Sequence, residues 1–193
     1  MPRKKQKSER LLEEALGALT RGLTKSGAPW MVIGGIAVIA RGVRRFTTDI
    51  DVAVRGDAVR SEQLLRTFAE YGIEPRIADA LAFAEANLVL LLRHQPTGVD
   101  LDVSFAWSAF EHGALATSTL TAFGTVRAPM CTVENLIVFK AIAGRPKDVE
   151  DAQALLVLYP QIDRAYVRGQ VATLAALAEA PEILGALDEL LRA

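Results

Sequence analysis

An α+β fold is predicted for this chain on three observations. Short strand-like apolar runs crowd its middle: Ile50–Val54, Leu88–Leu92 and Val99–Phe105. From Thr132 onward the pattern is helical, rich in alanine and leucine. Strands and helices do not alternate in the βα manner of a single parallel sheet. The 193 residues suit one domain, or a domain with a helical appendage.

The elements follow in order. Ser8 can cap a first helix to about Thr24, with Leu11, Leu12, Ala15, Leu16, Leu19 and Leu23 on one face. Gly27-Ala28-Pro29 stops it, and Trp30–Ile33 reads as a buried strand. Gly34-Gly35 breaks that strand before a short helix over Ile36–Ala40, and Ile50–Val54 is the next strand. Ser61–Tyr71 is an amphipathic helix closed by Gly72, and Asp79–Ala86 is a second, alanine-rich one. Gln95-Pro96-Thr97-Gly98 is a turn that joins Leu88–Leu92 and Val99–Phe105 into a hairpin. Thr125–Arg127 reads as a short edge strand before Pro129. Thr132 can cap a helix over Val133–Ala143, which Gly144 ends, and Pro146 opens a further helix to about Tyr159. Pro160, Gly169 and Pro181 punctuate the remainder.

Composition excludes several classes. Hydrophobic residues at 51% and charged residues at 23% exclude a disordered chain. A single cysteine, Cys131, excludes an internal disulfide and a thiolate zinc site, and two histidines argue against a His-rich one. A net charge of −1 gives no overall pull toward nucleic acid. No apolar run reaches the roughly 18 residues of a membrane-spanning helix, so no membrane partner is expected. The basic opening MPRKKQKSER leads into a polar amphipathic segment, not the apolar core of a secretory signal, so a cytoplasmic, reducing location is the default. Arg3, Lys4, Lys5, Lys7 and Arg10 can attract RNA phosphates or form a solubilising tail.

The chemistry concentrates in Val32-Ile33-Gly34-Gly35, then thirteen residues, then Asp49-Ile50-Asp51. Residues two apart on a strand share a face, so Asp49 and Asp51 project together and repel unless a cation lies between them. Such oxygen donors suit Mg²⁺ or Mn²⁺. A glycine pair after a strand lets backbone N–H groups approach an anion closely. Phosphate and a divalent metal are the natural joint ligand. Asp100-Leu101-Asp102 repeats the pattern on a later strand, and one of those acids can complete a three-carboxylate cluster for phosphoryl-type displacement.

The run Gly34-Gly35 … Arg45-Phe46-Thr47-Thr48-Asp49-Ile50-Asp51 resembles the signature of the DNA polymerase β-like nucleotidyltransferases, in particular the AbiEii/AbiGii-type toxin branch. Glu134-Asn135-Leu136 … Lys140-Ala141-Ile142-Ala143-Gly144-Arg145-Pro146-Lys147-Asp148-Val149-Glu150-Asp151 resembles that branch's later helix pair. The resemblance spans roughly residues 30–157. It implies a small mixed sheet with flanking helices, divided into an N-terminal helix plus catalytic core at 1–128 and a helical region packed on it at 129–193. It implies transfer of a nucleoside monophosphate from an NTP to an acceptor, with tRNA 3′ ends, proteins and small molecules such as aminoglycosides among the family's acceptors. An antitoxin protein is an implied partner.

By the same resemblance, Asp49, Asp51 and Asp102 are metal ligands and catalytic residues, with Asp100 the alternative third acid. Gly34, Gly35, Arg45, Thr47, Lys140 and Arg145 contact the nucleotide. Many relatives carry Gly-Ser where this chain has Gly34-Gly35. Lys140 can also be read as a solvated helix-end cation, and Arg145 as a partner of Asp148 or Asp151, acids that can support both cations. His94 and His112 read as surface residues near turns, and Cys131 as a small buried one.

Overall fold

The computed structural model describes residues 2–56 and 61–192, and the basic side chains of Arg3, Lys4 and Lys5 lie outside that description. Helix α1 (Pro2–Ser26) leads into β1 (Trp30–Ile33), α2 (Gly34–Ala40) and β2 (Asp49–Arg55). Then come α3 (Ser61–Ala69), β3 (Ile73–Pro75), α4 (Ala80–Asn87), β4 (Val89–His94) and β5 (Val99–Ala106). After α5 (Ala109–Ala116), β6 (Thr119–Phe123) and β7 (Val126–Met130), the chain is helical: α6 (Val133–Ala143), α7 (Pro146–Leu158), α8 (Arg164–Leu177) and α9 (Glu182–Arg192).

The strands form one mixed sheet in the order β3-β4-β5-β2-β1-β7-β6. β2 pairs antiparallel with β1 and parallel with β5, so it lies at the sheet's centre. Along β5, Val99, Leu101, Val103 and Phe105 are buried and alternate with half-buried Asp100, Asp102 and Ser104. The buried set joins Ile50, Val52, Leu90 and Leu92 in the core, with Leu16, Leu19 and Leu23 of α1. The opposite face carries the acids. This is the α+β architecture expected, with strands in the middle and helices at the end.

Several expectations are corrected. Helix α1 begins at Pro2, so Ser8 lies inside it and does not cap it, and the basic segment is the helix's first turns, not a tail. The strand expected at Thr125–Arg127 runs to Met130 and lies inside the sheet. Pro129 is tolerated because β7 meets β1 only at Met130, opposite Val32. Elements β3, α5 and β6 have no counterpart in the sequence reading. Helix α5 carries a reciprocal cap, Ser108 with Glu111, and that spacing is a readable signature. His94 is buried, not superficial; its Nδ1 lies 2.8 Å from the Thr97 hydroxyl, and burial holds its pKa below the usual value. Cys131 is buried as expected.

Candidate active site

The parallel register of β2 and β5 sets Asp49 opposite Asp100 and Asp51 opposite Asp102. Cross-strand partners share a face, so four carboxylates crowd one patch. Their fates differ. Asp49 Oδ1 accepts a hydrogen bond from the Thr47 hydroxyl at 2.7 Å. Burial drives the Asp51 carboxyl up to about 6, helped by the charges of Asp49 and Asp102, against the pull of Lys140 and a hydrogen bond from the Gly35 backbone. Burial raises Asp102 as well, although Arg76 donates to its Oδ1 at 2.7 Å. Asp100 is held below its usual range, first by the Arg93 hydrogen bond at 2.7 Å and further by Arg76.

The glycine pair is required by these neighbours. Gly34 has φ +61°, and a Cβ there would fall 2.0 Å from Asp51 Oδ2. A Cβ at Gly35 would fall 2.6 Å from Thr47 Oγ1. The Thr47 hydroxyl thus occupies the room a side chain at position 35 would need. No side chain caps the start of α2. The Gly35 N–H serves Asp51.

Opposite the acids stands a cationic wall. Lys140 is 6% exposed, and Nζ lies 2.7 Å from Asp148 Oδ1 and 2.9 Å from Asp151 Oδ2. The solvated helix-end reading of Lys140 is therefore wrong. Asp148 also accepts from Arg145 Nε at 2.5 Å, and Asp151 accepts from Arg45. Burial works to raise Asp148, but its hydrogen bonds with Arg145 and Lys140 outweigh that and hold it below the usual carboxylate range. Asp148 and Asp151 are thus the supports of Lys140, Arg145 and Arg45. Because α6 carries Lys140 and packs on α2, the cations lie beside the glycine pair, across β2 from Asp102.

A cleft of about 260 Å³ lies between these walls. Its lining includes Gly34, Gly35, Arg45, Thr47, Asp49, Asp51, Asp102, Lys140 and Arg145. Asp102 lines it and Asp100 does not. Phe139 and Lys147 also line it and were missed. Lys147 was findable, two residues beyond Arg145 in the first turn of α7. Arg76 had no sequence signal, standing alone between β3 and α4.

The donor set fits Mg²⁺ or Mn²⁺: hard carboxylate oxygens, adjacent, with mutual repulsion that a cation would relieve. Among the described residues no three Asp, Glu, His or Cys side chains are already gathered closely enough to hold an ion. Thr47 and Arg76 hold Asp49 and Asp102 individually.

The same architecture occurs in solved structures. The chain is similar to the solution structure of the antibiotic-resistance factor ANT(2″)-Ia, at 18% identity and a TM-score of 0.59, over 90% of this chain and 94% of that one. The fold is that of a nucleotidyltransferase. The crystal structure of ANT(2″)-Ia in complex with adenylyl-2″-tobramycin matches at 17% identity and a TM-score of 0.58, over 86% of this chain and 99% of that one. An antigenic nucleotidyltransferase-like protein from Paracoccidioides brasiliensis matches at 18% and 0.52, over 90% and 92% of the two chains. No family model and no curated protein matches the sequence. Among the described residues, no helix of this nucleotidyltransferase fold is long and apolar enough to cross a membrane.

Proposed function

We propose that this chain transfers a nucleoside monophosphate from an NTP to an acceptor hydroxyl, with release of pyrophosphate. The observation that carries this reading is the single cleft with paired acids on one wall and Lys140, Arg145 and Lys147 on the other. Asp49, Asp51 and Asp102 would hold Mg²⁺ or Mn²⁺, which supplies charge neutralisation at the reacting phosphate. Lys140 and Arg145 bind the triphosphate tail and stabilise the charge of the departing pyrophosphate. Arg45 and Thr47 line the same passage, Thr47 keeping Asp49 oriented. Asp102, across β2 from the cations, orients the acceptor hydroxyl and takes up its proton. The division of labour follows the chain: residues 1–128 bring the acids, and 129–193 bring the helical cationic wall.

The resemblance to AbiEii/AbiGii-type toxins supports a tRNA 3′ end or a protein as acceptor, with an antitoxin partner in the cytoplasm of a bacterium. The likeness to a structure holding adenylyl-2″-tobramycin supports a second reading, a small aminoglycoside-like acceptor. A nucleotide- or partner-binding module without turnover is the non-enzymatic rival, and the acids on both β2 and β5 speak against it. The deciding experiment incubates the protein with each labelled NTP and Mg²⁺, separately with total tRNA, cell protein and tobramycin. Label transfer with pyrophosphate release that disappears in Asp51→Asn supports the reading and names the acceptor. Nucleotide binding without transfer to any acceptor would favour the binding module.

A further inference from the structure

Arg76 directly follows β3, and its backbone N–H donates to the Leu91 carbonyl at 3.0 Å, which fixes the chain there. Its guanidinium spans the two acids of β5. Nη1 lies 3.2 Å from Asp100 Oδ2, and Nη2 donates to Asp102 Oδ1 at 2.7 Å. The other oxygen of Asp100 accepts from Arg93, its cross-strand neighbour on β4. Asp100 is thus engaged by two arginines and acts as an anchor. A guanidinium is a rigid planar fork, so one arm held on Asp100 fixes where the other arm reaches. The Arg76 side chain is only 21% exposed, which limits the competition from water.

We propose that Arg76 is a positioning residue that selects Asp102 as the third acid of the cleft and competes with a divalent cation for its carboxylate, so that metal is held firmly only together with nucleotide. This rests on the reading of the cleft as an NTP site. An ion that binds Asp102 Oδ1 must first displace a charge-assisted hydrogen bond. In the free protein that exchange gains little, because one carboxylate partner replaces another. When an NTP arrives, its phosphate oxygens supply further ligands of the kind Mg²⁺ prefers, and the exchange becomes favourable. The guanidinium also keeps a positive charge beside a crowded acidic patch while no ion is bound. The two arginines explain why β5 offers two acids to the sheet face but only one to the cleft.

The test uses Mn²⁺ as the probe, followed by its electron paramagnetic resonance signal during titration of the full chain. Wild type, Arg76→Gln and Arg76→Lys are compared, each with and without a non-hydrolysable NTP analogue, after melting curves establish that each is folded. Without nucleotide, Arg76→Gln is expected to bind Mn²⁺ about 10-fold more tightly than wild type, the scale of one charge-assisted hydrogen bond. With nucleotide both proteins should bind Mn²⁺ more tightly, because the phosphate oxygens add ligands. Arg76→Lys keeps the charge but loses the fork, and should behave like Arg76→Gln. Adding Asp102→Asn to Arg76→Gln should remove the gain. Equal Mn²⁺ affinity in wild type and Arg76→Gln overturns the proposal and leaves the functional reading standing. Wild-type behaviour in Arg76→Lys beside a gain in Arg76→Gln overturns the fork in favour of charge alone. No Mn²⁺ binding by any protein, even with nucleotide, overturns the metal reading itself.

Discussion

Asp51 on β2 and Asp102 on β5 are direct cross-strand partners, although 51 residues separate them in the chain. Burial raises the cost of ionising Asp51, and the charges of Asp49 and Asp102 add to it. Most of what can be tested follows from that adjacency and from the cations across the cleft.

Asp51→Asn should abolish transfer and stabilise the metal-free protein. The Asp51 carboxyl is raised from 3.8 to about 6 in the fold, so folding favours its protonated form. Its ionisation therefore costs stability as pH rises from about 4 to about 6, and the cost is fully present above that. Relief of it is worth on the order of 3 kcal/mol at neutral pH. Melting temperatures of the two proteins should converge near pH 4 and separate by pH 7.5, the variant being higher. A variant that melts lower at pH 7.5 would contradict the crowding of charge.

Asp102→Asn should be as damaging to turnover as the change at Asp51, and Asp100→Asn milder. Asp102 lines the cleft, whereas Asp100 is engaged by Arg93 and Arg76 outside it. Steady-state rates of the two variants decide the matter, and the reverse order would assign the third acid to Asp100.

Lys140→Ala should lower both activity and stability. Loss of a charge-assisted phosphate contact should reduce kcat/KM roughly 10–100-fold. Removal of the buried ammonium also strips Asp148 and Asp151 of a shared partner, at about 3 kcal/mol. Arg145 and Arg45 remain on those acids and soften the loss. Adding Asp148→Asn should restore part of the melting temperature without restoring kcat/KM. Full recovery of turnover in the double variant would remove Lys140 from nucleotide binding.

Gly35→Ser should destabilise this protein by about 1–3 kcal/mol through overpacking against Thr47. Thr47→Ala in the same chain removes the nearer of the two colliding atoms and should recover part of that loss. Calorimetry on the single and double variants measures it, and an additive outcome would show that Thr47 is not the obstacle.

The acids were legible because strand periodicity alone puts Asp49 with Asp51 and Asp100 with Asp102 on a face. Their pairing was not, since register between β2 and β5 depends on a long-range contact that no local spacing encodes. The burial of Lys140 was not legible, for a related reason. Helix α6 buries Val133, Asn135, Leu136, Ile137 and Val138 as well as Lys140, because neighbouring helices cover several of its sides. A helix enclosed in this way has no polar stripe from which exposure can be read. Strand β3 spans only Ile73–Pro75, too short to carry a period, and Arg76 just beyond it had no pattern at all. The Ser108–Glu111 cap was readable and α5 could have been found from it.

The two walls of the cleft come from stretches of chain far apart in sequence, and this orders events during synthesis. Asp49, Asp51 and Asp102 are synthesised before Lys140, Arg145, Asp148 and Asp151. A nascent chain that stops short of α6 holds the acidic patch without Lys140 or Arg145, with Arg45 the cleft cation already made. On the proposed reading, the triphosphate end of the cleft is therefore complete only once translation has passed Asp151, whose carboxylate holds Lys140 and Arg45 in place.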